Sequence, residues 1–318
     1  MTVAGPAKPD LIKHVLVVGE VNVDLVLKGL HAAPAPGQEV LADDFLMTPG
    51  SSSMICAMGL ARLGNPVAFH GKLGRDAWGE YCLDALRSAG IDVASLQPDA
   101  ALRTGVTVSL STPRDRSLVT FAGAIASLHA EEVDTALLER AEHLHVSSYY
   151  LQKALRAGCR DLLARAHAVG LSTSLDPGFD PEQQWGSDLS DTLQEVDLFL
   201  PNEEELKAIT GHHDLLDALI ALDNGRTRTV VKRGRLGCAT LHEGKLLEVP
   251  AHVVDAVDST GAGDSFDAGF LHAWLREWSL QDCLRWGSAC GSLSTRGMGG
   301  TTRQASVDEV QALLAGAA

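Results

Sequence analysis

Apolar positions along the chain fall into two rhythms. Short, β-branched runs of the kind that fill a strand buried on both faces recur at His14–Gly19, Pro66–His70, His143–Ser147, Leu171–Asp176, Asp197–Leu200 and Arg228–Lys232. Between them, Met54–Leu63, Ala77–Ala89, Ala154–Val169 and Glu203–Ile209 carry helical spacing. Strand then helix, repeated, predicts an α/β body with right-handed crossovers. Two segments, Gln38–Thr48 and Arg103–Ala122, instead alternate apolar and polar residues. In the second, Val106, Val108 and Leu110 lead to a Pro113-Arg114-Asp115-Arg116 turn and then Leu118-Val119-Thr120-Phe121, which predicts a hairpin. Inserted in a parallel body, such strands predict a small antiparallel sheet standing off it as a lid, with an ordinary edge hairpin as the plainer alternative.

Composition narrows the classes. The 318 residues suffice for one large or two modest domains with a sizeable core. With 26 Lys+Arg against 41 Asp+Glu, the formal charge is −15, which repels phosphate backbones and acidic lipid surfaces, so nucleic-acid and membrane partners are set aside. Met1–Asp10 has no apolar region before a cleavage site, and no run of about 18 apolar residues occurs, so neither a signal peptide nor a membrane span is expected. Cys56, Cys82, Cys159, Cys238, Cys283 and Cys290 are scattered without a CxxC pair, which fits free thiols in the cytoplasm.

The chemistry concentrates in Asp258-Ser259-Thr260-Gly261-Ala262-Gly263-Asp264-Ser265-Phe266, followed by an apolar-periodic run through Leu275. Gly261, Ala262 and Gly263 have little or no side chain and open a helix, so unpaired N–H groups and the positive helix end converge into an anion hole. An acid there opposes phosphate binding unless it accepts a proton from the attacking nucleophile, so Asp264 reads as a general base for phosphoryl transfer. A glycine turn with Asp as an N-cap is the bland alternative.

Those nine residues resemble the C-terminal signature of the ribokinase-like, PfkB-type carbohydrate kinases. The resemblance implies a three-layer αβα fold with a mainly parallel central sheet. It also implies one kinase domain over residues 1–318, with a small antiparallel β lid at about 38–48 and 103–122. Further motifs follow in the family order. Gly19-Glu20-Val21-Asn22-Val23-Asp24, read as the end of the first strand, is similar to the opening Gly-x-x-Asn-x-Asp, so Asn22 and Asp24 inherit the hold on substrate hydroxyls. The block Gly71-Lys72-Leu73-Gly74-Arg75-Asp76 with Gly79 resembles one that is structural. Asn202 and Glu205 fit Asn-x-x-Glu, which implies Mg2+ and phosphate organised through water, against a plain capping Asn as the alternative. Val230–Gly237 is similar to the nucleotide-holding strand and turn, so Lys232 would add positive charge near the phosphates while Gly234 and Gly237 hug the nucleotide. Ser288, within Gly287–Gly291, and Gly297–Gly300 resemble the closing wall of the adenine site. Some relatives bind a monovalent cation through backbone oxygens equivalent to Asp258 and Thr260, which leaves K+ open here.

The acceptor side departs from the pattern. The family's Gly-Gly-x-x-x-Asn reads Gly50-Ser51-Ser52-Ser53-Met54-Ile55, and an apolar Ile55 cannot hydrogen-bond a sugar hydroxyl. Either the acceptor presents another face or other residues supply the contact. Ser52 stands where phosphosugar kinases carry Lys, which favours an acceptor not already phosphorylated. The lid strands hold few aromatics, Phe45 and Phe121, which puts a free sugar or sugar acid ahead of a nucleoside; Arg103, Arg114 and Arg116 keep a carboxylate in play. ATP and Mg2+ are the expected ligands, with homodimerisation through the lid as in relatives. The chain lacks Gly-x-Gly-x-x-Gly after the first strand, Gly-x-x-x-x-Gly-Lys-Ser/Thr, His-Glu-x-x-His and Gly-x-Ser-x-Gly, which counts against dinucleotide, P-loop, zinc and simple hydrolase chemistry. A nucleoside kinase and a ligand-binding relative without turnover are the competing readings.

Overall fold

The computed structural model describes residues 14–112, 116–186 and 188–316, with the Arg116 side chain left out. The reading of Met1–Asp10 and the tip of the expected 113–116 turn lie outside the described residues. The strands are β1 (Val15–Val18), β2 (Asn22–Lys28), β3 (Asp44–Pro49), β4 (Val67–His70), β5 (Lys72–Gly74), β6 (Gln97–Asp99), β7 (Gly105–Ser111), β8 (Arg116–Phe121), β9 (His143–Val146), β10 (Ser172–Leu175), β11 (Leu198–Phe199), β12 (Arg228–Lys232), β13 (Cys238–His242) and β14 (Lys245–Val249). The helices are α1 (Ser52–Arg62), α2 (Ala77–Ser88), α3 (Thr135–Leu138), α4 (Lys153–Ala168), α5 (Asp188–Leu193), α6 (Glu203–Thr210), α7 (Leu215–Ala221), α8 (Ala262–Trp274), α9 (Leu280–Ser294) and α10 (Val307–Leu314).

The order of the central sheet is β14-β13-β12-β11-β10-β9-β1-β4, parallel from β4 to β12 and closed by two antiparallel strands. Every residue of β1 is buried, because alternate side chains feed two different cores. Val15 and Val17 join Met54, Leu60, Phe266, Phe270 and Leu293 on one face, while Leu16 and Val18 join Leu155, Leu162 and Leu163 on the other. Helices therefore cover both faces, giving the expected three-layer αβα fold. In β9, His143 and His145 interrupt the apolar run. They are tolerated because Ser172, Ser174 and Ser147 satisfy their ring nitrogens at 2.7–2.8 Å. Burial lowers His145 to about 4, so its ring is neutral at neutral pH.

The small sheet runs β3-β2-β7-β8. The two expected segments supply β3, β7 and β8, although residues 38–43 are not strand. The addition is β2. Asn22–Asp24 do not end the first strand; they begin a new one after a break at Gly19–Val21, pairing antiparallel with β3 and parallel with β7. Among the described residues no helix is long and apolar enough to cross a membrane, and all six cysteines are unpaired and buried.

The β12–β13 turn shows how tightly the glycines are specified. Gly234 and Gly237 both have positive φ, 53° and 92°, but a Cβ on Gly234 meets nothing within 4 Å, whereas one on Gly237 would lie 2.0 Å from the Val249 carbonyl oxygen. Gly234→Ala is therefore expected to cost about 1 kcal/mol of strain, and Gly237→Ala about 3 kcal/mol once the backbone clash is added. Chemical denaturation of the two variants checks the ordering, and equal losses would contradict it.

Candidate active site

Lys232 ends the parallel strand β12 and Asn202 follows β11, at the carboxyl ends of the sheet where ligands bind in open α/β folds, and the Gly263–Asp264 turn packs over Lys232. The sequence Gly261-Ala262-Gly263 bends there for a physical reason. Gly261 sits in the left-handed region at φ 70°, and a side chain on it would meet Gly300 Cα at 2.6 Å. Helix α8 begins immediately after it, with Asp264 in its first turn. The Ala262 N–H is turned onto Ser259 O at 3.2 Å, which removes it from the expected anion hole. The Gly263 and Asp264 N–H groups lack an acceptor within the helix by virtue of their position. Asp264 is half-buried and pushed up to about 7, first by desolvation and then by Asp176, while a hydrogen bond with Ser52 works the other way.

Beneath this turn lies a buried ionic cluster. Lys232 Nζ donates to Asp176 Oδ2 at 2.6 Å and to Asp267 Oδ1 and Oδ2 at 3.2 and 3.0 Å. Its ammonium also lies 3.5 Å from where a Cβ on Gly263 would stand. The expectation that Lys232 offers a free positive charge to phosphate is therefore changed: two carboxylates already hold it. Desolvation works to raise Asp176, but the ammonium holds it below the ordinary carboxylate range, while burial lifts Asp267 well above it. Asp176, Asp264 and Asp267 bring oxygens within 4.8 Å of one another, a donor set suited to a hard cation, although the ammonium already occupies part of that space.

Asn202 and Glu205 form a reciprocal capping box on α6. The Glu205 N–H donates to Asn202 Oδ1 and the Asn202 N–H donates to Glu205 Oε2, both at 2.8 Å. Burial, then Asp176, lifts Glu205 to about 7, and a parallel bridge joins Asn202 to Lys232. Ser288 on α9 donates to Pro250 O at 2.9 Å, so its hydroxyl fastens α9 to the loop after β14. Asp258 Oδ1 accepts from the Thr260 N–H and hydroxyl, and Oδ2 from the Gly299 N–H at 2.9 Å, so its carboxylate closes the loop before α8.

The acceptor residues divide. Asn22 Nδ2 donates to Asp24 Oδ1 at 3.2 Å and to Thr107 Oγ1 at 2.8 Å, which fixes both on β2. Gly50 is glycine because a Cβ there would lie 2.1 Å from Asp24 Oδ1. Ser51, at φ 66°, donates to Glu20 O at 2.8 Å and accepts from the Met54 N–H at 3.0 Å, so its hydroxyl is consumed in capping α1. Ile55 is buried, and the space over Gly261 and Gly300 is filled by its side chain, 3.1 and 2.4 Å from a Cβ built on each. Its apolar character thus serves packing under the α8 turn. Asp76 confirms the structural reading of its block: it caps α2 through Gly79 and holds Thr104 N and Oγ1 at 2.9 and 2.7 Å.

A family model described as pfkB family carbohydrate kinase matches residues 12–306. The chain belongs to the pfkB family of carbohydrate kinases. It is 31% identical over 283 residues to a fructokinase of Klebsiella pneumoniae, covering 84% of this chain and 92% of that one. It is 28% identical to an ATP-dependent ribose-1-phosphate kinase of Halopiger xanaduensis, over 95% and 98% of the two chains. A solved E. coli structure, a ribokinase II candidate in complex with ATP and Mg2+, superposes with a TM-score of 0.84 at 21% identity, covering 95% of this chain and 99% of that one, which speaks for the fold. As a pfkB kinase, the chain is a phosphotransferase acting on a sugar hydroxyl.

Asp176, Asp267 and Glu20 were not singled out in the sequence. Asp176 had a signal, as the acid ending a buried parallel strand, and Asp267 lies three residues beyond Asp264 on the same helical face. Glu20 sits inside the quoted Gly19–Asp24 motif at one of its unspecified positions.

Asp264 and Glu205 carry a stability consequence with a definite sign. A carboxylate raised to about 7 holds a proton in the fold that the unfolded chain has already lost, so their contribution falls as pH rises from about 4 to about 7. Asp264→Asn removes that liability. Thermal melts of the ligand-free protein should show a Tm gain of a few degrees at pH 8 that shrinks towards pH 5; an equal or larger gain at pH 5 would contradict the assignment.

Proposed function

We propose that this pfkB kinase transfers the γ-phosphoryl of ATP to a hydroxyl of a free sugar or sugar acid, with Asp264 as general base. The observation that carries the reading is the place of the Asp264 carboxylate, in the first turn of α8 beside the Gly263 and Asp264 N–H groups that lack helical acceptors, where desolvation lifts it to about 7. A base with that affinity holds a proton reversibly near neutral pH, as general base catalysis requires. Asp24 and Asn22, tied to each other on β2, orient the acceptor. The acceptor O–H proton passes to Asp264 as the new P–O bond forms and the bond to ADP breaks. First-turn N–H groups of Gly263 and Asp264 face the transferred group, where fixed dipoles stabilise developing charge without reorganising.

The buried carboxylate of Glu205 would hold Mg2+ through water, which leaves Asp264 free as the base; when bound, the ion would supply charge neutralisation. The Gly234 and Gly237 turn and α9 around Ser288 form the nucleotide side. Carbonyls of Asp258 and Thr260 are the place for K+, in the loop that the Asp258 carboxylate closes. The small sheet acts as the lid that excludes water. Phe45, Leu118, Val119 and Phe121 on it are 55–61% exposed, which supports a homodimer through the lids. Unpaired thiols fit the cytoplasm.

A coupled ADP-release assay over D-fructose, D-ribose, hexonic acids and nucleosides tests this. Turnover is expected with at least one sugar or sugar acid, and Asp264→Asn should lower kcat by about 10²–10⁴ with KM for ATP nearly unchanged. Turnover of nucleosides alone, or full activity in Asp264→Asn, would overturn the reading.

A further inference from the structure

Glu20 is a buried carboxylate in the three-residue loop between β1 and β2, and the proposed chemistry does not use it. Its side chain reaches the N-terminus of α1, accepting from Ser53 Oγ at 2.5 Å and from the Ser53 N–H at 3.3 Å. Its backbone oxygen accepts from Ser51 Oγ at 2.8 Å. One residue of the loop therefore grips both neighbours of Ser52. Ser51 holds a positive φ of 66°, a conformation a non-glycine residue keeps only when its surroundings enforce it, and these bonds are the enforcement.

The loop itself has no room to slide. A Cβ on Gly19 would lie 1.9 Å from Ser53 Oγ, and a Cβ on Gly71 2.4 Å from Gly19 O. On one side, the loop runs two residues on into Asn22 and then Asp24 on β2; on the other, α1 presents Ser52, which hydrogen-bonds Asp264. Acceptor grip and base thus meet through Glu20.

We infer that Glu20 is a positioning residue that locks the Ser51–Ser53 turn and so sets the Ser52 hydroxyl on Asp264, linking the acceptor strand β2 to the base. The inference rests on the proposed role of Asp264. The grip on Ser51 and Ser53 is Glu20's route to the Ser52 hydroxyl, while its negative charge also helps to lift Asp264 directly, and Glu20→Gln, which keeps the grip and removes the charge, separates the two. Misplacing a reacting group by about 1 Å costs up to about a hundredfold in rate.

The test is a double-mutant cycle on kcat, using the sugar that the wild type turns over best. Glu20→Ala should lower kcat by about ten- to a hundredfold with KM for ATP unchanged. Ser52→Ala should lower kcat too, and the double variant should be no slower than Glu20→Ala. Glu20→Gln keeps an acceptor for Ser53 Oγ and should recover most of the rate. Tm and binding of a fluorescent ATP analogue show that each variant is folded. Multiplying losses, or a Glu20→Ala that lowers Tm with kcat intact, would overturn the inference while leaving the kinase reading standing. A wild type that turns over no member of the panel would overturn the proposed function and this inference with it.

Discussion

The Lys232 ammonium is the point on which the site depends. It ends β12, and its two partners sit on different elements: Asp176 just after β10, and Asp267 one turn into α8. A buried charge pair contributes little net stability compared with an apolar replacement, yet losing one partner leaves an uncompensated charge and costs about 3–5 kcal/mol. The cluster therefore acts as a fastening. It holds the start of α8 against the sheet, with Gly263 directly over the lysine, and so fixes the direction in which the first-turn N–H groups and Asp264 point.

The same cluster sets the protonation of the site. Asp176 takes the ammonium's charge, and its own negative charge then adds to desolvation in lifting Asp264 and Glu205 to about 7. In a chain of net charge −15 this looks perverse for an enzyme that meets ATP, because the cluster adds more carboxylates and they already hold its lysine. The resolution lies in the hard-cation preference of such oxygens. In the proposed reading, the carboxylates beside the cluster suit Mg2+ and the fixed dipoles at the start of α8 suit phosphoryl oxygens.

Much of this was legible in the sequence because the signals were local. A fully apolar β1 can only be a central strand, and Gly261-Ala262-Gly263-Asp264 places N–H groups and an acid together whatever surrounds them. What escaped notice depends on long-range contacts. Lys232 reads as a phosphate ligand until its partners, 56 and 35 residues away, are seen. Ser51 and Ile55 read as odd acceptor residues. In the fold, one is a strained cap and the other packs under the α8 turn. Strand β2 was hidden because Asn22 and Asp24 looked like the end of β1, although Asn-Val-Asp-Leu alternates as a strand of a half-exposed sheet does.

The fastening role of Lys232 is tested most directly by the stability of Lys232→Met at pH 8, measured by denaturant titration alone and together with Asp176→Asn. The account predicts a loss of about 3–5 kcal/mol for the single variant, much of it regained when the orphaned carboxylate is also removed. A single variant as stable as the wild type, or a double variant no more stable than the single, would contradict it.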